Sequence, residues 1–427
     1  MKAVLRPLFI TLFAVTLIWP AANINWGKDH WKGVLESDAK GYYAYLPAVI
    51  IYSDLNFGFY DSLETKKYFN PNLAYDYRYT FEENTVNKYF LGTAFMQAPF
   101  FLLAHYQTKW FSQNDQDGYS KLYMIWLCIA AVFYCILGLV YFLKSLELLN
   151  VSIGNSLFIG GIMIFGTNLF YYVVGEPGMS HVFSFALMSL LVFTCINVNQ
   201  NKSDGKWVPV LLALLIIIRP VNGLALFIVP VLVSRSRIKE ALQKYHQFII
   251  PIVLSILIMG LQPLVYFIQT GSLFVYSYAE EGFNFFSPHP FDMLFSFKKG
   301  LFIYTPVLLF LIPAVFYFIK KDRTRLLPMI VFLGSVLYVF SSWWNWWYGG
   351  SFSQRVFIEY YPFFFVLIAF WFDSLILKKK RLFIGLMILL MAFNQFQTYQ
   401  YRYNIIHWEE MNLERYVEAF WLIKELP

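Results

Sequence analysis

The chain is 427 residues long, 59% hydrophobic and 21% aromatic, with only 14% charged residues and a mean hydropathy of +0.52. That balance excludes a soluble globular or a disordered chain and points to a polytopic membrane protein. The net charge of +7 lies mostly in short loops between apolar runs, so it reports topology and not nucleic-acid binding.

Apolar runs of membrane length occur near 5–23, 119–143, 153–174, 178–198, 247–268, 300–319, 326–341, 358–377 and 382–397. The first, with Lys2 and Arg6 before it, is expected to be a retained helix and not a signal peptide cleaved near Ala21-Ala22. Cys128, Cys135 and Cys195 fall inside apolar runs without metal-site spacing, and read as small core residues.

A further run, 207–233, is interrupted by Arg219-Pro220, and proline disfavours helix at the residue before it. Segments 1–6, 144–152, 199–206, 234–246, 320–325 and 378–381 together hold 17 of the 33 Lys and Arg but only four of the 26 acids. The positive-inside rule makes them the cytoplasmic face. Both flanks of 207–233 are then cytoplasmic, which predicts a hairpin of two short halves with Arg219 at its tip. At ~1.5 Å per residue each half climbs about 16 to 20 Å, against a hydrocarbon core of about 30 Å. An arginine at that depth costs about 2.5 to 3.5 kcal/mol in lipid, so Arg219 is expected to face a cavity or an anionic partner.

The stretch 87–105 is placed as a helix along the outer surface or dipping into it, interrupted near Pro99, because a crossing there would invert every later loop. The fold expected is an all-α polytopic bundle of about 11 crossings, counting the 207–233 hairpin as two. It forms one membrane domain, 1–397, whose outer loop 24–118 carries juxtamembrane helices, followed by an outer-face tail, 398–427.

Polar side chains gather on the outer face. Asp38, in the segment Glu36-Ser37-Asp38-Ala39-Lys40-Gly41-Tyr42-Tyr43, is shielded by tyrosines and suits a general base; Lys40 would help keep it ionised. The same aspartate also suits the N-cap of a helix over 39–51, and the two roles are compatible. Glu176, in the turn Gly175-Glu176-Pro177-Gly178, could share an acceptor or a divalent cation with Asp38, with His181 one helical turn further on. The spacing is not that of a metal motif.

Lys40, Lys88, Arg219 and Arg355 are the candidate partners of a phosphate, arginine offering a bidentate fork. Lys298 and Lys299 read instead as lipid-facing interface anchors. Four tryptophans crowd the five positions 343–347, followed by Tyr348, Gly349, Gly350, Arg355 and Glu359. An aromatic belt explains part of this; aromatic faces beside charged groups also suit a sugar or a polyprenyl chain. Tyr42, Tyr43, His181, Asn222, Trp346, Trp347, Tyr348 and Glu359 complete the candidate substrate-binding set.

The acid in the first outer loop, the Glu176-Pro177 turn, the Arg219-Pro220 hairpin and the stretch from Trp346-Trp347-Tyr348-Gly349 through Gln354-Arg355 to Glu359-Tyr360-Tyr361-Pro362 resemble the C-type membrane glycosyltransferases (GT-C). The bacterial branch similar to protein mannosyltransferases and the aminoarabinose transferase is the nearest in layout. The likeness covers roughly residues 1–365 and rests on these four short segments.

The resemblance implies inverting transfer of a sugar from a polyprenyl-phosphate donor to a lipid, glycan or protein acceptor, on the outer (periplasmic) face of a bacterial inner membrane. Asp38 matches the family's base, Glu176 the acid of its second outer loop, and Arg219 and Arg355 stand where such enzymes place cations near the donor phosphate. Glutamate replaces the more usual aspartate at 176, which leaves dependence on a divalent cation, Mg or Mn, open. No large soluble carboxyl-terminal domain is seen, which argues against an oligosaccharyltransferase. The competing class is a transporter or flippase of lipid-linked glycans, whose charged groups would lie on broken helices near the bilayer midplane, often in two related halves. One broken element and no second half are visible.

Overall fold

A computed structural model describes residues 2–71, 74–111 and 115–422. The Lys2 side chain and the end of the tail, 423–427, lie outside the described residues. Among the described residues seven helices are long and apolar enough to cross a membrane: Leu5–Asn25, Lys121–Leu148, Ser180–Asn199, Tyr245–Thr270, Arg323–Ser341, Arg355–Asp373 and Leu377–Arg402. A helix of about 20 residues spans the hydrocarbon core because its backbone polar groups are satisfied internally. The chain is thus a multi-pass membrane protein. Ser180–Asn199 and Arg355–Asp373 are central and mostly buried, while Tyr245–Thr270 and Leu377–Arg402 leave most of their surface outward.

The described helices do not reach the eleven crossings expected. The number is seven, or eight if the bent pair Pro220–Leu232 and Arg235–Gln243 counts as one. The difference lies in runs that hydropathy reads as continuous but whose backbone breaks. In 153–174 the helix Ile153–Phe165 ends at Gly166 and resumes at Leu169–Val174. Thr167 and Asn168 hold this break, Thr167 Oγ1 donating to the Met163 carbonyl at 2.7 Å and Asn168 Nδ2 to the Phe352 carbonyl at 3.0 Å. In 300–319, Pro306 separates Leu301–Tyr304 from Leu311–Lys321 through a 3-10 turn. In 207–233 the helix Val208–Ile218 stops at Arg219, which is extended at φ −150, and Pro220–Phe227 continues as a 3-10 turn. An extended residue before proline is what the proline ring imposes.

The stretch expected to be interrupted near Pro99 is one continuous helix, Gly92–Phe111, with Pro99 inside it. It starts beside the Arg219 turn: a Cβ on Gly92 would sit 2.4 Å from the Ile217 backbone, so only glycine admits this approach. From there it runs back along the first half of Lys121–Leu148, with the Phe100 ring against Phe133 and Phe101 against Tyr123.

The expected all-α fold is interrupted by the hairpin of β1 (Arg78–Phe81) and β2 (Asn84–Asn87), paired Tyr79 to Val86. Glu82 and Glu83 turn it at φ 45 and 70. Its end docks on the helix Asp38–Pro47 through buried Asn87, whose Nδ2 donates to the Gly41 carbonyl at 2.8 Å while its Oδ1 accepts from the Tyr89 N–H at 2.9 Å. This dock brings Lys88 and Tyr89 alongside Asp38.

The basic segments meet at one end of the bundle. Arg6 pairs with Glu147 at 2.5 Å, Asp373 accepts from Ser152 and Asn155, and Arg325 reaches the Val231 carbonyl at 2.7 Å. The tail folds back near the other end as Leu413–Trp421, with Tyr416 against the rings of Phe297 and Tyr304 and accepting from Gln397 Nε2 at 2.7 Å.

Candidate active site

At the end away from the basic segments lies a cavity of about 430 Å³, walled by residues of 37–42, 88–90, 218–221, 275–283, 343–350 and by Tyr75 and Arg355. Five polypeptide segments far apart in sequence therefore converge on it together with Tyr75 and Arg355. Of the predicted residues, Asp38, Tyr42, Lys88, Arg219, Tyr348 and Arg355 line it.

Asp38 does not act as a helix cap. Ser37 holds the N-cap position at φ 42 without a side-chain cap bond, and Asp38 is the first helical residue. Its carboxylate is thereby free to face the cavity, where Oδ1 accepts from the Tyr89 hydroxyl at 2.7 Å and Oδ2 from Arg355 Nη2 at 2.8 Å. Burial pushes the carboxyl up, but the Arg355 guanidinium, the Tyr89 hydrogen bond and Lys88 outweigh it and hold Asp38 below the ordinary carboxylate range. Asp38 is thus an anion at neutral pH, and each carboxylate oxygen keeps a second acceptor position.

Arg219 pairs with Glu359, Nη1 to Oε1 at 2.8 Å, and His181 Nδ1 stands 3.1 Å from the same oxygen. Glu359 is fully buried and His181 nearly so, and neither lines the cavity. The Arg and Glu one turn apart, Arg355 and Glu359, therefore serve different partners: Arg355 holds Asp38, and Glu359 holds Arg219. The expectation for Arg219 names a cavity or an anion, and it has both. Nη1 is taken by Glu359; Nη2 and Nε carry no hydrogen bond among the described residues. Lys88 pairs with Glu281 at 2.6 Å.

Several predicted contacts lie elsewhere. Lys40 pairs with the buried Glu64 at 3.6 Å, so the field that keeps Asp38 ionised comes from Arg355 and Lys88. The Tyr43 hydroxyl turns away to the Gly118 carbonyl at 2.5 Å. Asn222 is buried, its Nδ2 donating to Ser184 Oγ at 3.0 Å and to the Leu215 carbonyl at 3.2 Å, the same carbonyl that accepts the last helical bond from the Arg219 N–H. The Trp346 ring lies against His289, and Lys298 sits 3.4 Å over the Trp347 ring. Trp343 and Trp344 line the cavity in their place.

Lys299 is no lipid-facing anchor. It is buried, donates to the Ser351 carbonyl and lies 5.3 Å over the Tyr401 ring. Burial pushes its ammonium down to about 7, with Glu176 opposing.

Glu176 is also buried and does not line the cavity; its Oε2 has no hydrogen-bond partner among the described residues. Burial pushes its carboxyl up to about 8, Glu36 adding to the shift and Arg355 opposing it. A carboxyl protonated at neutral pH and held outside the cavity is not a second catalytic anion there. Asp38 and Glu176 do not converge as a shared cation site: Glu176 does not line the cavity, and among the described residues no three His, Cys, Asp or Glu side chains come together as a metal site.

Sequence reasoning missed Tyr75, Tyr89, Tyr278, Glu281 and the Trp343 and Trp344 rings as wall residues. Tyr89 was within reach, because it follows Lys88 directly. Glu281 had a weaker signal, being half of an acidic pair in the otherwise aromatic loop 269–299. No protein family, no curated protein and no solved structure matches this chain.

Proposed function

We propose that this protein is an inverting glycosyltransferase that moves a sugar from a polyprenyl-phosphate-linked donor to a lipid, glycan or protein acceptor, on the outer leaflet of a bacterial inner membrane. The observation that carries the reading is an ionised carboxylate, Asp38, sharing one cavity with Lys88 and Arg219 at the end of a membrane bundle away from its basic loops. The segments that resemble C-type membrane glycosyltransferases supply Asp38, Arg219 and Arg355 to that cavity.

In this reading Asp38 takes the proton of the acceptor hydroxyl as its oxygen bonds to the anomeric carbon. The bond from that carbon to the donor phosphate oxygen breaks, and its electron pair leaves with the polyprenyl phosphate. Arg355 keeps the base ionised and oriented. Lys88 and the free edge of Arg219 meet the charge that grows on the departing phosphate. Trp343, Trp344 and Tyr348 offer ring faces to the sugar.

Sugar transfer measured in membranes carrying Asp38→Asn and Arg219→Ala tests this. Loss of transfer in both is expected, and near wild-type turnover in the asparagine variant removes the base assignment. The helix broken at Arg219 also suits a carrier of lipid-linked glycans. Flipping of such a lipid in proteoliposomes without covalent change would favour that alternative.

A further inference from the structure

The three cations at the cavity are each held by one carboxylate, but the carboxylates are anchored differently. Glu359, on Arg219, is fully buried in the bundle. Asp38, on Arg355, opens a helix. Glu281, on Lys88, belongs to the irregular loop 271–289, and its side chain is 31% exposed. That loop forms part of the cavity wall through 275–283.

The stem of the loop is tied by backbone bonds, Trp344 N to the Gly282 carbonyl at 2.9 Å and His289 N to the Ser341 carbonyl at 2.9 Å. Its inner part is held by the Tyr266 hydroxyl donating to Ser277 Oγ at 3.2 Å, by the Tyr278 ring against Tyr89 and Trp343, and by contacts with Lys88. The Lys88 ammonium meets Glu281 at 2.6 Å and lies 5.5 Å over the Tyr278 ring, and Ser277 Oγ donates to the Lys88 carbonyl at 2.8 Å. The outer flanks carry Phe274 and Phe286, 85% and 102% exposed, rings of the kind that settle at a membrane interface.

Resting on the transferase reading, we propose that Glu281 is a built-in competitor for the substrate's anion: its carboxylate occupies Lys88 until the phosphate of a prenyl lipid displaces it. A phosphate monoester brings about −1.5 to −2 charges and three acceptor oxygens against the single charge of a carboxylate, so it displaces Glu281 while an uncharged sugar does not. Glu281 thereby selects for phosphate-bearing lipids at a cavity whose three cations it helps to balance.

The test is binding of decaprenyl phosphate to the full chain in detergent, with inorganic phosphate as a parallel ligand. Glu281→Gln keeps the shape of the side chain and removes its charge; Glu281→Ser serves as a second variant where glutamine disturbs the loop. Tighter binding of decaprenyl phosphate, on the order of threefold to tenfold, is expected in both. In a Lys88→Gln background the gain should vanish, and a purely structural Glu281 would produce no gain in any background. Unchanged or weaker binding in both Glu281 variants, with the wild type still binding, overturns the competitor role and leaves the transferase reading standing. A gain for inorganic phosphate without one for decaprenyl phosphate overturns the selection for a lipid. Failure of wild type and variants alike to bind decaprenyl phosphate overturns reading and proposal together.

Discussion

Arg355 Nη2 stands 2.8 Å from Asp38 Oδ2, a contact between residues 317 positions apart. It joins the loop after the first helix to the start of the central helix Arg355–Asp373, and it sets the charge state of the cavity. An aspartate buried here without the guanidinium would be pushed toward its neutral form; with it, the anion is the resting state.

The pH dependence follows from the sign of that shift. Because Asp38 sits below its ordinary value, transfer should persist into mildly acid solution and fall only as pH drops through the depressed value. Arg355→Gln removes the largest opposing charge, so burial dominates and the acid limb of the kcat profile should move to higher pH. A profile whose acid limb stays in place contradicts the contact's role.

Glu359 is buried against Arg219 and His181. Glu359→Ala leaves a guanidinium in the bundle without its counter-ion, at a cost of about 3 to 5 kcal/mol. Thermal unfolding in detergent should show that loss, and Arg219→Gln combined with it should recover part. Additive losses in the double variant would mean that the pair does not act as a unit.

Glu176 is expected to be dispensable for chemistry at neutral pH, where it already holds its proton. Glu176→Gln should keep most of the transfer rate. In stability the sign is opposite to that of Asp38. The folded-state value is raised from 4.5 to about 8, so the protonated carboxyl stabilises the fold fully below about 4.5 and that contribution is lost as pH rises toward 8. The glutamine variant should therefore gain on the wild type between those values, with the gap level above 8. Melting temperatures across pH in detergent read this directly.

What was legible in the sequence is what periodicity and charge encode. Seven of the apolar runs are long helices, and Arg219 falls at the break that proline marks. Asp38, Lys88, Arg219 and Arg355 meet at one cavity because each is a polar group that the apolar bundle cannot absorb elsewhere. The hidden part is pairing at long range. Whether Glu359 points to the cavity or backs Arg219, and whether Lys40 serves Asp38 or Glu64, depends on contacts 140 and 24 residues away. Hydropathy also overlooks breaks such as Thr167-Asn168, where the Thr167 hydroxyl bonds the Met163 carbonyl of the ending helix and Asn168 ties the break to the Phe352 carbonyl.

The central claim is that Asp38 takes a proton from an acceptor during sugar transfer in the membrane. Mass spectrometry of envelope glycans and glycolipids compares cells lacking this protein with cells supplied with the wild type or with Asp38→Asn. The account predicts a species lighter by one sugar residue in the deletion, restored by the wild type and not by the asparagine variant. Full restoration by the asparagine variant, or identical masses in all three strains, would contradict it.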